Sequence, residues 1–307
     1  MHKIKKRPRR CQLAVPGSSS KMLEKASTLA VDHVFLDLED AVAPKVKVAA
    51  RKMVVDALNR FNWTGKVRCV RVNDCSTEWC YGDIIEIIEG AKNNVDTLML
   101  TKVRSVADVS FVDTLLHQVE KKLQLPPNGI GLEILIEDVA GLMNVDAIAG
   151  ASDRLECLIF GMGDYSASHG IDARYICGEN SYPGDIWHYA RFKMTVAAQA
   201  HGLDAVDGPF PDINNILGYK REAEYASILG MVGKWAIHPS QIEIAQKTFS
   251  PDLEEILKAQ KLIEAYAIAQ SQGEGAVKID GAMIDAASIR MVQQVIDKAN
   301  LYGMKND

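Results

Sequence analysis

Two acidic residues, Glu137 and Asp164, end separate apolar runs, LEILIE and CLIFGMGD. If those runs are neighbouring parallel strands, their axes lie about 4.8 Å apart. Two carboxylates held that close are costly unless a cation sits between them or one is protonated. Neither has a His or Cys partner at ligand spacing. A set of oxygen donors favours Mg²⁺ over zinc, with Mn²⁺ as a substitute, and leaves about four positions of an octahedron for water and substrate. Gly161 and Gly163 flank the turn and let backbone approach the site. The alternatives are a shared proton or a bridging Lys or Arg.

Arg71 ends the run KVRCVR and supplies a planar cation suited to a carboxylate. Its other reading is a salt bridge to the Glu39–Asp40 cluster. Lys102 follows VDTLMLT. A buried Lys at a strand end is the nucleophile of Schiff-base aldolases. A neighbouring metal pair makes that chemistry redundant and leaves Lys102 to salt bridging or phosphate contact. His238, before Pro239, is a base or, in the plainer reading, a hydrogen-bonded structural residue, and the other histidines show no partner pattern.

The elements that must position these groups are short apolar runs at 11–15, 31–38, 66–72, 95–101, 130–137, 154–160, 203–206 and 232–237. Helical patterns lie between them near 19–30, 45–59, 79–91, 105–123, 138–150, 185–201 and 218–229, and another begins at 239. Near-continuous apolar strands alternating with helices indicate a parallel sheet buried on both faces. Eight such units predict an α/β fold, a (β/α)₈ TIM barrel. A doubly wound open sheet is the rival, and no strand here is followed by a complete GxGxxG turn. In a barrel, chemistry collects at the C-terminal strand ends. Those ends carry Asp37, Glu39 and Asp40, then Arg71 and Asn73, Lys102, Glu137 and Asp138, Asp164, Asp207 and His238.

The barrel domain is expected over 1–249. A C-terminal helical extension is expected over 250–307, in which Ser250 caps a helix with Pro251 at its first position. A Gly-rich link, 273–281, then leads to a last helix bearing Ile284, Ala287, Met291, Val292, Val295 and Ile296.

The 307 residues are 48% apolar, enough for one large core. With 35 Lys and Arg against 40 Asp and Glu, the net charge is −5, which argues against nucleic acid as a partner. Six Cys without a CxxC pair read as buried thiols in a reducing, cytoplasmic setting. The basic start MHKIKKRPRR lacks a signal-like apolar run and reads as a surface arm. No stretch of 18 apolar residues suggests a membrane span.

Ordered strings from residue 7 to residue 289 carry a resemblance: RPRRCQLAVPGS, LDLEDAVAP, VRVN, ILIEDVAGLMNVDAIA, FGMGDYSAS, GDIWHYA, AVDGPF, GMVGKWAIHPSQ and GAMIDAASI. With them the chain resembles the citrate lyase β-subunit-like, or HpcH/HpaI aldolase, superfamily, and within it the malyl-CoA lyases. The resemblance implies a TIM barrel, Mg²⁺ and acyl-CoA substrates. It assigns Glu137 and Asp164 to the metal and Arg71 to the small keto acid. Glu39 and Asp40 would hold metal-bound water. Asp285, on the extension, would do acid–base work over a neighbouring subunit's site, in a homotrimer or homohexamer. Arg10 and Lys25 match the residues that meet CoA. Ser19 stands where the family often has a basic residue, with Lys21 as the substitute, and Thr101 stands where it often has Pro.

The reaction so implied is a reversible aldol cleavage of malyl-CoA or β-methylmalyl-CoA to glyoxylate and acetyl-CoA or propionyl-CoA. The alternatives are a malate synthase or malyl-CoA thioesterase, a citramalyl-CoA lyase, a citrate lyase β-type subunit acting on a carrier-protein thioester, and a non-catalytic CoA-binding protein.

Overall fold

The computed structural model describes residues 5–172 and 184–304. The chain divides into two compact units, Met1–Gln246 and Lys247–Asp307.

The first unit contains β1 (Cys11–Pro16), β2 (His33–Asp37), β3 (Val67–Arg71), β4 (Thr97–Leu100), β5 (Gly131–Ile136), β6 (Leu155–Phe160), β7 (Asp204–Asp207) and β8 (Gly233–Ala236). Each strand pairs in parallel with the next, and β8 pairs with β1, closing the barrel. The connecting helices are α1 (Ser20–Thr28), α2 (Lys47–Arg60), α3 (Cys80–Ala91), α4 (Val106–Leu123), the short pair α5 (Val139–Met143) and α6 (Val145–Ala149), α7 (Met162–His169), α8 (His188–Ala200), α9 (Ile216–Ile228) and α10 (Ile242–Thr248). The helix expected over 138–150 is thus two short ones that meet at Asn144.

Strand side chains alternate between barrel interior and helix layer. Phe35, Met99, Leu135, Ile159, Val206 and Trp235 form one buried cluster across the interior. Two residues earlier on their strands, a polar layer floors the barrel. Glu133 there accepts hydrogen bonds from Gln12 Nε2 (2.9 Å), Thr97 Oγ1 (3.0 Å) and Arg9 Nη2 (3.3 Å), and lies 2.9 Å from His33 Nε2. Burial alone would raise the Glu133 carboxyl, but His33 and Arg9 hold it well below the usual carboxylate range. His33, Cys69 and Glu133 come close enough together to suggest a metal cluster. The Glu133 oxygens are already engaged by these neighbours, and burial pushes the Cys69 thiol far up. This layer holds the barrel's N-terminal end together. Two residues later on the same strands, the alternation delivers Asp37, Arg71 and Glu137 to the opposite end.

The second unit pairs α11 (Leu253–Ser271) with α12 (Ala286–Leu301), and between them lies an antiparallel hairpin of β9 (Ala276–Ile279) and β10 (Ala282–Asp285). Leu262, Tyr266 and Ile284 form its small core. Here the structure corrects two expectations. The α11 cap is Asp252, whose carboxylate accepts from Glu255 N (2.8 Å) while Glu255 accepts from Asp252 N (2.9 Å). The Gly-rich link is a hairpin turning at Asp280–Gly281, both with positive φ (50° and 86°), as a tight two-residue hairpin turn requires. Ile284 therefore belongs to β10, not to the last helix.

Candidate active site

Asp37 is the last residue of β2, and its carboxylate organises the turn that follows. It accepts from Glu39 N (2.8 Å) and Ala41 N (3.0 Å). It also takes a two-pronged bond from Arg71, Nε at 2.7 Å and Nη2 at 2.6 Å. The guanidinium is buried and lies 5.7 Å from the Phe35 ring centroid and 5.4 Å from that of Trp235. Its remaining nitrogen, Nη1, stands 3.2 Å from Glu39 Oε2 and 3.9 Å from Asp40 Oδ2. The salt-bridge reading of Arg71 is therefore true, with Asp37 as the main partner, and it fixes the guanidinium at the rim.

Lys102 follows β4 with a positive φ of 52°, a strained backbone for a residue with a Cβ. That conformation directs its N–H at Glu137 Oε1 (2.7 Å), while Nζ reaches Glu39 Oε1 at 2.6 Å and Asp40 Oδ1 at 3.7 Å. Burial would lower the Lys102 ammonium, but Glu39 and Asp40 raise it well above its ordinary value. A Schiff-base nucleophile needs the opposite shift, so Lys102 is an anchor for Glu39. Burial pushes the Glu39 carboxyl up, and Arg71 and Lys102 pull it back.

Glu137 follows β5 and is almost wholly buried. Burial and the nearby Asp164 push its carboxyl up to about 8, against the pull of Arg71. Asp164 lies in the first turn of α7, half-buried, and its side chain makes no hydrogen bond among the described residues. Gly161, between the two, sits so close that a Cβ there would come within 2.5 Å of Glu137 Cβ and 2.7 Å of its Oε2. At this rim Asp37, Glu39, Asp40, Glu137 and Asp164 face two fixed cations, Arg71 and Lys102. An excess of carboxylates, one of them buried and driven toward protonation by its neighbour, is the setting a hard divalent cation relieves. The oxygen donors gathered here fit a hard divalent cation such as Mg²⁺.

The other strand-end groups do structural work. Asn73 bonds Asp83 (2.6 Å) and Leu38 O (2.9 Å). Asp138 caps α5 and pairs with Arg104 at 3.2 Å. Asp207 is buried behind the strands against Arg191 and Lys234. His238 caps the turn at Ser240. Arg10 requires a correction as a CoA contact. It precedes β1, at the N-terminal end of the barrel, where Asp32 holds it with bonds of 2.7 and 2.6 Å. Lys21 and Lys25 are exposed on α1, four residues apart and so on one face. Asp285 is exposed in the second unit, where it caps α12 by accepting from Ser288 N and Oγ, both at 2.9 Å. The Ser288 backbone N–H holds its carboxyl below the ordinary value.

Sequence reasoning missed the role of Asp37, although strand parity carried the signal: Asp37, Phe35 and His33 share the interior face of β2.

A model of the HpcH/HpaI aldolase/citrate lyase family matches residues 10–239. A second, of carbon–carbon bond lyases of the TIM-barrel fold, matches residues 185–304. The L-malyl-CoA/β-methylmalyl-CoA lyase of Cereibacter sphaeroides (strain ATCC 17025) is 38% identical over 306 residues, covering 96% of this chain and 96% of its own. The malyl-CoA/β-methylmalyl-CoA/citramalyl-CoA lyase of Chloroflexus aurantiacus is 32% identical over 293 residues, covering 90% and 83%. Among solved structures, CitE of Mycobacterium tuberculosis in complex with magnesium, acetoacetate and coenzyme A is similar with a TM-score of 0.73 and 27% identity, covering 94% of this chain and 97% of that one. Matches of this length and identity, on a closed barrel with its acidic groups gathered at one rim, place the chain in the HpcH/HpaI aldolase/citrate lyase family as a carbon–carbon lyase.

Proposed function

We propose that this chain catalyses the reversible, Mg²⁺-dependent aldol cleavage of a 3-hydroxyacyl-CoA, malyl-CoA or β-methylmalyl-CoA, to glyoxylate and acetyl-CoA or propionyl-CoA. The observation that carries the reading is the buried Glu137 carboxylate beside Asp164, with the Arg71 guanidinium locked next to them. The malyl-CoA lyases at 38% and 32% identity support the thioester substrate.

Glu137 and Asp164 would hold the metal, and Glu39 and Asp40 its water. Bound there, Mg²⁺ would serve as a Lewis acid that lowers the pKa of the substrate hydroxyl. Arg71 meets the carboxylate of the two-carbon keto acid. Because Asp37, Phe35 and Trp235 already fix the guanidinium, little reorganisation is needed as charge develops. Loss of the hydroxyl proton to water lets the C2–C3 bond break, and its electron pair becomes the enolate of the acyl-CoA. Asp285 gives that carbon a proton in cleavage and removes one in condensation. Lys21 and Lys25 offer two exposed ammonium groups for CoA phosphates. We place Asp285 over the site of a neighbouring copy in a homotrimer or homohexamer.

Asp37→Asn keeps the side-chain volume but removes the charge that clamps Arg71. Small misplacement of a positioning group costs on the order of 10²-fold. We expect kcat/KM to fall by about that factor, mostly through the KM for glyoxylate in the condensation direction, while Mg²⁺ affinity is retained. Steady-state kinetics of the variant check this.

The reading is tested by incubating the purified chain with malyl-CoA in Mg²⁺ or in EDTA and trapping glyoxylate. Glyoxylate formed only with Mg²⁺ is expected. Equal release in EDTA, or none under either condition, would overturn it.

A further inference from the structure

Cys75 and Cys80 lie on the connection between β3 and α3, and the Cys80 thiol donates toward Cys75 across an Sγ–Sγ distance of 3.8 Å. Cys75 is half-buried and borders an open cleft of about 330 Å³ that it shares with Asp74, Lys102, Arg104 and Phe111. Cys80, the first residue of α3, is buried. The connection is pinned at both ends. Asn73 bonds Asp83 through its backbone N–H (3.0 Å) and side-chain amide (2.6 Å), and a turn over 74–77 closes with Thr77 N on Asp74 O (2.9 Å). This brings the two thiols together without a disulfide. The other described cysteines, Cys11, Cys69 and Cys157, are wholly buried in barrel strands.

We propose that Cys75 and Cys80 form an oxidisable dithiol, which two-electron oxidants of the hydroperoxide class convert to an intramolecular disulfide at the edge of the cleft beside Lys102. Cys75 is the attacking sulfur, since it is the accessible one and the Cys80 S–H stabilises its thiolate, holding its thiol below the ordinary value. The thiolate attacks the terminal peroxide oxygen, the O–O bond breaks, and the departing oxygen takes a proton and leaves as water from hydrogen peroxide or as an alcohol from an alkyl hydroperoxide. Cys75 is left as a sulfenic acid. Cys80 then attacks that sulfur, its own proton and the sulfenyl hydroxyl leave as water, and the disulfide forms. Two thiols have lost two electrons and two protons, and one hydroperoxide has been reduced.

A disulfide needs about 2.05 Å between sulfurs. Closing from 3.8 Å falls on Cys75 and its turn more than on Cys80, because α3 is held by buried Ile84, Ile87 and Ile88. That turn lines the cleft beside Lys102, whose ammonium anchors Glu39. The disulfide therefore restrains the approach to the site. This last consequence rests on the lyase reading above, but the chemical step does not.

The test treats the intact chain with hydrogen peroxide, blocks remaining thiols, digests it and reads the peptides by mass spectrometry. The expected result is a Cys75–Cys80 linkage that dithiothreitol reverses, with loss of two titratable thiols, and no such linkage in Cys75→Ser or Cys80→Ala. Recovery of Cys75 as a free thiol or as sulfinic acid, without linkage, would overturn the proposal. In parallel, malyl-CoA cleavage is expected to fall in oxidised wild type, return with dithiothreitol, and persist in peroxide-treated Cys75→Ser. A linkage with undiminished cleavage would overturn the restraint on the cleft.

Discussion

Replacing Glu137 with Gln is expected to abolish metal-dependent turnover, a loss on the order of 10³-fold or more. A Lewis acid contributes several kcal/mol of charge stabilisation, and about 1.4 kcal/mol is worth tenfold in rate. Gln keeps the volume and can still accept from Lys102 N, so the barrel rim should survive. The metal-free variant is expected to be more stable than wild type above neutral pH. The reason is the Glu137 carboxyl, pushed up to about 8 by burial and by Asp164. Between its ordinary pKa of 4.5 and about 8, the folded metal-free chain holds a proton that the unfolded chain has released. The folded state binds more protons over that window, so this group's contribution to stability falls as pH rises through it. Metal binding requires the carboxylate and displaces that proton, so Mg²⁺ affinity rises over the same window. Thermal unfolding with and without Mg²⁺ at pH 6 and pH 8.5 reads both effects. The Mg²⁺-induced rise in Tm should be larger at the higher pH in wild type and absent in Glu137→Gln. A variant that keeps both its Mg²⁺ shift and its turnover would remove Glu137 from the metal site.

Asp285→Asn is expected to lower turnover by about 10²–10⁴-fold, the usual worth of a positioned acid or base, while the Mg²⁺-induced Tm shift stays as in wild type. Asn still caps α12 at Ser288, so the second unit should remain folded. The two deficient chains also test where Asp285 acts. If it serves a neighbouring copy, mixing Glu137→Gln and Asp285→Asn chains under conditions of subunit exchange should restore measurable activity, because some sites then combine an intact metal pair with an intact Asp285. No recovery after demonstrated exchange would place Asp285 over its own chain's site or outside the reaction. Undiminished turnover in Asp285→Asn would remove it from the chemistry altogether.

The barrel was legible because strands buried on both faces cannot hide their apolar runs: VDHVFLDL and IGLEILIE declare themselves. That Glu137 and Asp164 come together at one rim was legible for the same reason, since both follow such runs. What Arg71 does was only half legible. Its carboxylate neighbours in sequence space, Glu39 and Asp40, were evident, but its main partner is Asp37, set by register between β2 and β3, where Asp37 lies opposite Arg71. Period-two counting along each strand would have found it. Arg10 misled because a basic residue near the start of a strand was matched by its string and not by the strand end it occupies. The same period places it about five or six residues, or roughly 20 Å, from the C-terminal rim. The hairpin over 276–285 was hidden by its glycines, although Asp280–Gly281 is a recognised two-residue turn signal. Nothing local could have announced the positive φ of Lys102, which exists because Glu137 and Glu39 take its two ends.

Condensation tests the central claim most directly. The purified chain would be given acetyl-CoA and glyoxylate, with Mg²⁺ or with EDTA, while malyl-CoA and free thiol are followed together. Malyl-CoA that accumulates only with Mg²⁺ and without thiol release is the expected result. Stoichiometric thiol release, which means hydrolysis follows bond formation, or formation undiminished in EDTA, would contradict the account.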